Sequence, residues 1–307
     1  MNASLVVLGP TASGKSDVAM AVATGAVGGS SIQIVAVDAM QVYRGMDIGT
    51  AKPTADDQRA VPHHGLDLVD PDREFTVAEF AAAANSSIAG IQLSGSTPLL
   101  VAGTGLYLRA LTDPMQIPPT WPAVRSTLEA RLATEPVEHL HSELALLDPV
   151  AATKMEPTNA RRVVRALEVC VGSGRPFSSY GPGLESYPPV PFVQVGLRWS
   201  RPHLAQRIEQ RVQRMMHAGL LDEVQRLRAQ FALSRTALQA LGYKELIEHL
   251  DGRATLDQAV QQIVVRTRQF AVRQERWFRR DPRVQWVDIQ ADAVTEAVPV
   301  IQELLSR

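Results

Sequence analysis

Short apolar runs punctuate the chain: Ser4-Leu5-Val6-Val7-Leu8, Ile32-Gln33-Ile34-Val35-Ala36-Val37, Pro98-Leu99-Leu100-Val101-Ala102 and Phe192-Val193-Gln194-Val195-Gly196-Leu197. Their length and β-branched content predict buried strands of a parallel sheet. Helical periodicity fills the gaps. Between Thr76 and Ile91, Val77, Phe80 and Ala84 share one face, and Thr76 with Glu79 three residues on has the form of a capping box. From about Arg201 to Arg228 a single helix is expected, with Leu204, Ile208, Val212 and Met215 as its apolar stripe. Proline and glycine interrupt the series twice. Asp113-Pro114, Pro118-Pro119 and Pro122 form one linker; Gly172, Gly174, Pro176, Gly181, Pro182, Gly183, Pro188, Pro189 and Pro191 form another. The segment between them is patterned as helix. The expected organisation is an α/β core over residues 1–114 and 190–307, with C-terminal helices, and a helical insertion domain over 115–189.

The first strand runs into Gly9-Pro10-Thr11-Ala12-Ser13-Gly14-Lys15-Ser16, and a helix follows. This is the phosphate-cradling spacing G-x-x-x-x-G-K-S. Gly9 and Gly14 allow backbone angles closed to residues with a Cβ. The freed N–H groups converge at a helix N-terminus, where the dipole favours an anion. Lys15 adds a positive charge for the distal phosphate, and Ser16 offers a hydroxyl to Mg2+. The pattern predicts a P-loop NTPase-like parallel sheet flanked by helices, and a bound di- or triphosphate. It does not say which one.

Ligands of parallel α/β sheets sit beyond the carboxyl ends of the strands. Asp38 ends the second strand and Thr104 follows the third, between Gly103 and Gly105. Both are placed to face the phosphate loop, and both also suit ordinary turns. Residues 39–53 lack clean periodicity and have the look of a substrate-contacting loop. His63-His64 lacks further ligand candidates and fits a structural pair better than a metal site. Arg211 falls at the edge of its helix's apolar stripe, with Arg207 and Arg214 further round. An inward arginine needs an anion, either a core carboxylate or a phosphate. Arg161 and Arg165 share a helix face in the insertion. Near the C-terminus, Arg266, Arg268, Arg273, Arg276, Arg279, Arg280 and Arg283 face few acids, and Phe270, Trp277 and Phe278 interleave. Arg266, Arg273, Arg276 and Arg280 follow one helical stripe, a pattern that suits a phosphate backbone with unpaired bases.

Composition narrows the classes. A net charge of −1 gives no global pull toward polyanions or membranes, so any nucleic-acid site depends on this local clustering. The single Cys170 excludes an intramolecular disulfide and a multi-cysteine zinc site, and its valine neighbours predict a buried thiol. No apolar run approaches a membrane span, and the N-terminus starts directly on a strand, so a soluble cytoplasmic protein without membrane association is expected.

Taken in order, these segments resemble the tRNA dimethylallyltransferases, also called isopentenyl transferases. The motifs are GPTASGKS (9–16), VDAMQVYRGMDIGTAKP (37–53), PHHGLDLVDP (62–71), AGTGLYLRAL (102–111), RVVRALE (162–168), RIEQRVQRMMHAGLLDEV (207–224), QALGYKE (239–245) and TRQFAVRQERWFR (267–279). The resemblance spans nearly the whole chain. It implies transfer of a dimethylallyl group from dimethylallyl diphosphate to N6 of adenosine 37, beside the anticodon, in tRNAs that read codons starting with U. Pyrophosphate is then the leaving group and Mg2+ the cofactor. The phosphate loop, Gly9 to Ser16, would hold the prenyl diphosphate together with Arg211, the family's diphosphate-binding arginine. Asp38 would be the general base, and Thr104 would hydrogen-bond the adenine. The tRNA-contacting segments would include Asp38, Ala39, Met40, Gln41 and Thr104. They would also include Arg161, Arg162 and Arg165, with Arg125 beside them, Gln239, Gly242, Tyr243 and Lys244, and Arg273, Gln274, Arg276, Trp277 and Arg279. The expected partner is the tRNA anticodon stem-loop, and the expected state a monomer.

Two positions depart from the family pattern: Ala39 where serine is usual, and Ala102 where the first glycine of GGTG is usual. Neither removes a group assigned to chemistry. The rival readings are a P-loop small-molecule kinase, a free-AMP isopentenyltransferase and a non-catalytic RNA-binding protein. The first two have no use for the C-terminal arginine stripe, and the third has none for Lys15 and Asp38 at strand ends.

Overall fold

The computed structural model describes residues 4–25, 31–181 and 183–306; Pro182 of the second predicted linker lies outside them. The strands are β1 (Ser4–Leu8), β2 (Ile32–Val37), β3 (His63–His64), β4 (Thr97–Ala102), β5 (Phe192–Trp199) and β6 (Val284–Ile289). They pair in the order β3-β2-β4-β1-β5-β6, parallel throughout. Parallel strands need helices on both faces, which is why Val6, Val7, Leu8, Val35, Val37, Leu100, Val195 and Leu197 are all buried. β1 lies between β4 and β5, with Leu8 opposite Ala102 and Gly196. Its carboxyl end therefore opens where β2 and β4 also end.

The helices before the insertion are α1 (Lys15–Thr24), α2 (Ala55–Ala60), α3 (Val77–Leu93) and α4 (Gly105–Thr112). The capping box on α3 is formed: Thr76 Oγ1 accepts from the Glu79 N–H, and Glu79 accepts from the Thr76 N–H. Within the insertion lie α5 (Pro122–Arg131), α6 (Val137–Leu147), α7 (Pro149–Thr153) and α8 (Ala160–Ser173). After it come α9 (Arg201–His217), α10 (Leu220–Gln230), α11 (Arg235–Leu238), α12 (Tyr243–Leu250), α13 (Leu256–Phe278) and α14 (Ala293–Ser306).

Three expectations change. The helix foreseen over 201–228 is two helices, because Gly219 takes φ 93°, a left-handed angle that stops α9 and starts α10. α13 ends at Phe278, so Arg279 caps it and Arg280 and Arg283 lie beyond the helical stripe. β3 and β6 were not foreseen. β3 has two residues, and β6 is a half-exposed edge strand whose mixed pattern resembles a loop.

The chain divides into two compact units, residues 1–112 with 189–307, and residues 113–188. The smaller unit has its own apolar core, built from Leu128, Leu140, Leu144, Val163, Leu167 and Cys170. At its centre Glu168 is fully buried. It accepts from the Trp121 N–H at 2.7 Å and from Arg125 Nη2 at 2.6 Å, and Arg165 Nη1 lies 2.9 Å away. Burial acts to raise this carboxyl's pKa, but the Trp121 amide and the two guanidiniums prevail and leave it below the usual range. Arg125 and Arg165, expected to contact tRNA, thus both pair with Glu168, while the Arg125 side chain stays 40% exposed. Arg161 and Arg162 are exposed and form no ion pair among the described residues.

Candidate active site

The shape of the phosphate loop depends on two left-handed backbone positions. Ala12 (φ 63°) and Gly14 (φ 88°) both sit in the left-handed region, and the Ser13 N–H closes a turn on the Pro10 carbonyl at 3.2 Å. Two side chains hold the loop from outside. Trp199 Nε1 donates to the Ser13 carbonyl at 2.9 Å and Arg207 Nε to the Ala12 carbonyl at 2.8 Å. The Arg207 guanidinium stacks 4.4 Å over the Trp199 ring. In a trans peptide the N–H points away from the C=O. Holding the Ser13 carbonyl outward therefore turns the Gly14 N–H inward, beside the free amides of the first turn of α1. Ser13 Oγ, inside the loop, is buried without a hydrogen-bond partner. This is a cradle for an oxyanion.

Asp38 begins the turn after β2. Its Oδ1 accepts from the Met40 N–H at 2.8 Å and the Gln41 N–H at 3.3 Å, which fixes the carboxylate. The other oxygen, Oδ2, is not used in that turn and faces Gly103. A methyl group on Gly103 would sit 3.2 Å from Asp38 Oδ2, 3.4 Å from Lys15 Cε and 3.5 Å from Gln274 Nε2. The carboxylate, the loop lysine and a carboxamide from α13 therefore meet over one glycine. Thr104 follows; its Oγ1 accepts from the Ala39 N–H at 3.2 Å, which leaves its hydroxyl proton to donate elsewhere.

Lys15 is half-buried. Burial first, and then the Arg211 guanidinium, pull its pKa down to about 8, against the opposing pull of Asp38 and Asp17. Arg211 is lowered by burial, and Asp38 opposes that shift. Among the described residues Arg211 makes no ion pair. Of the two anions open to it on sequence grounds, the core carboxylate bridge is not formed; Lys15 and Arg211 feel each other's charge and share the influence of Asp38 and Asp17.

The remaining predicted residues separate into two groups. Arg273, Arg276 and Arg279 are exposed, as is Gln239, which accepts from Lys244 Nζ at 3.3 Å. Arg279 has Glu275 one turn away at 3.5 Å. Gln41 reaches inward, its Nε2 donating to the carbonyls of Thr50 and Ala51. Gly242, Tyr243 and Gln274 are buried, which corrects the surface role expected for them. The Trp277 indole is half-buried against Gly105, where any side chain would collide with it. Arg266 of the expected arginine stripe pairs with buried Glu245 at 2.6 Å instead.

Tyr243 Oη donates to Glu223 Oε1 at 2.6 Å. Burial, followed by the Glu223 charge, pushes the phenol's pKa far up. Glu223 itself, 1% exposed, also accepts from the N–H groups of Asp47, Ile48 and Gly49 at 3.1, 2.8 and 3.2 Å. This pins the loop downstream of Asp38. Sequence reading missed Trp199, Arg207 and Glu223. The signals were present: Arg207 stands one turn before Arg211, and Glu223 interrupts the apolar stripe Leu220, Val224, Leu227. His63 and His64 bond to the Val61 carbonyl and to Gln33 Oε1, at 2.7 and 2.8 Å, as a structural pair would.

The family model for IPP transferase matches residues 41–281. The chain belongs to this family. A tRNA dimethylallyltransferase of Thermobifida fusca is 45% identical over 99% of this chain and 95% of its own. One from Bifidobacterium longum is 44% identical over 96% and 89%. The crystal structure of the tRNA isopentenylpyrophosphate transferase of Bacillus halodurans superposes with a TM-score of 0.70 at 35% identity, covering all of this chain and 96% of that one. A eukaryotic dimethylallyltransferase captured acting on tRNA gives a TM-score of 0.81 at 25% identity, over 99% of this chain and 79% of its own. As in these IPP transferases, a P-loop-like parallel sheet underlies the site. No helix among the described residues is long and apolar enough to cross a membrane.

Proposed function

We propose that this IPP transferase moves the dimethylallyl group of dimethylallyl diphosphate onto N6 of adenosine 37 in tRNAs reading codons that start with U. The observation that carries the reading is the meeting of Lys15 and Asp38 over Gly103. A cationic cradle and an oriented carboxylate share one crevice at the strand ends. The N6 lone pair is delocalised into the purine and is a poor nucleophile until its proton has an acceptor. Asp38 Oδ2 takes that proton as N6 attacks the prenyl C1. The C1–O bond breaks, and its electron pair leaves with pyrophosphate. Thr104 donates a hydrogen bond from its hydroxyl to the adenine and fixes the ring. Lys15, Arg211 and the inward amides of the loop stabilise charge on the departing bridging oxygen. The adenine must leave its stack to reach Asp38, so the target base is extruded.

Mg2+ fits the donors present. Ser16 is exposed at the first turn of α1, and its hydroxyl forms no hydrogen bond among the described residues. A single hydroxyl with phosphate oxygens and water suits an ion that keeps most of its hydration. The described residues hold no acidic or histidine cluster for a metal caged by protein alone. When bound, Mg2+ would neutralise diphosphate charge. The exposed, unpaired Arg161, Arg162, Arg273 and Arg276 would contact the anticodon stem-loop backbone. The chain would work as a monomer in the cytoplasm.

The test is incubation with an unmodified anticodon stem-loop and labelled dimethylallyl diphosphate. Label should appear on the adenine; label on no nucleotide, or on free AMP alone, overturns the reading. The depressed Lys15 pKa adds a second expectation. A diphosphate ester beside Lys15 favours the ammonium, so it raises the pKa from about 8. Binding at about pH 9 should take up most of one proton, and binding well below pH 8 almost none. Calorimetry in buffers of different ionisation enthalpy reads this directly. Proton uptake that does not change with pH would remove Lys15 from the diphosphate.

A further inference from the structure

Gln274 sits on α13 between the exposed Arg273 and Arg276, yet its side chain points the other way and is 7% exposed. Its carboxamide spans two loops. Oε1 accepts from the Thr11 N–H of the phosphate loop at 2.8 Å. Nε2 donates to the Gly103 carbonyl at 2.7 Å. One amide thus joins the turn after β1 to the turn after β4, two segments that belong to adjacent strands and carry opposite halves of the site. The first holds the diphosphate cradle. The second supplies Gly103, against which Asp38 Oδ2 and the Lys15 stem rest, and Thr104, whose backbone N–H donates to the Val37 carbonyl ahead of Asp38. Few other groups could serve. The spacing needs an acceptor and a donor about two ångströms apart on a planar group, which the glutamine carboxamide supplies at the end of a flexible stem. At this depth asparagine is one methylene too short to keep both bonds from the same helix.

We infer that Gln274 is a positioning residue for the transfer step: it sets the distance between the diphosphate cradle and the Asp38–Thr104 edge. The inference rests on the proposed function. It differs from the surface contact with tRNA expected for this residue, because both ends of its amide are already used inside the protein. The consequence is a rate effect without a binding effect. Each substrate still meets its own half of the site, but the donor carbon and N6 no longer meet at reacting distance. A misplacement of about 1 Å costs on the order of 10²-fold in rate.

The test uses Gln274→Met, which keeps the length and loses both hydrogen bonds, in the full chain. Single-turnover transfer to the anticodon stem-loop should slow about 100-fold. The stem-loop Kd and the Kd of dimethylallyl diphosphate should each stay within about threefold. Gln274→Glu keeps the bond from Thr11 and loses the one to Gly103; its slowing should match, which guards against a methionine variant that fails to fold. A single-turnover rate within threefold of the parent in both variants overturns the inference. So does slowing accompanied by an equal loss of stem-loop affinity, which would make Gln274 an RNA contact. If the parent protein itself transfers no label, the proposed function falls before Gln274 is in question.

Discussion

Asp38→Asn should lose transfer by about 10²- to 10⁴-fold while anticodon stem-loop binding changes little. The substitution is nearly isosteric. Its amide oxygen can still accept from the Met40 and Gln41 N–H groups, as Oδ1 of Asp38 does, so the turn that orients the group survives. The atom facing Gly103 and Lys15 becomes an NH2, which cannot take a proton from N6. The effect should therefore sit in the chemical step. Single-turnover kinetics separate it from binding. The variant also removes a carboxylate whose negative charge would repel the diphosphate from the same crevice, so the diphosphate should not bind more weakly. A fall confined to stem-loop affinity, with the single-turnover rate intact, would take the base role from Asp38.

Glu223→Ala should lower stability by roughly 3–5 kcal/mol, the range seen when a buried charged partner is removed from its hydrogen bonds. The carboxylate is the acceptor for three successive amides, Asp47, Ile48 and Gly49, and for the Tyr243 hydroxyl. Truncation leaves four donors without a partner, in a place where Gly49 has no side chain because the Tyr243 ring fills the space. Thermal unfolding should report a fall of about 10 °C. Tyr243→Phe removes a single donor and should cost about 1 kcal/mol. If the two variants proved equally mild, the loop would owe its shape to Lys52 instead. That side chain is buried, with its Nζ donating to the Tyr43 carbonyl at 2.9 Å and to Asp47 and Asp67 at 2.6 Å.

The parts of the fold legible in the sequence were those set by local rules. Strand cores β1, β2, β4 and β5 declare themselves by apolar runs, and α3 by its capping box. β3 and β6 escaped because edge strands are short or half-solvated and share their composition with loops. The break at Gly219 escaped because the apolar stripe continues across it in number, from Met215 to Leu220, though not in space. In the site, the phosphate loop and Asp38 were legible because backbone geometry demands those residue types there. The roles of Arg125, Arg165, Tyr243 and Gln274 were not. Whether a polar side chain faces outward or is spent on a buried partner depends on groups far along the chain: Gln274 on Thr11 and Gly103, Tyr243 on Glu223, Arg165 on Glu168. Sequence order carries no record of that pairing.

The position of β1 between β4 and β5 has a bearing on biosynthesis. On a ribosome β1 can pair with β4 as soon as residue 102 emerges, but its other side waits for β5, beyond the whole of residues 113–188. Through that interval Leu5-Val6-Val7-Leu8 presents a row of open amides and carbonyls flanked by bare aliphatic side chains. A nascent chain stalled there is the form most exposed to wrong pairing with another copy.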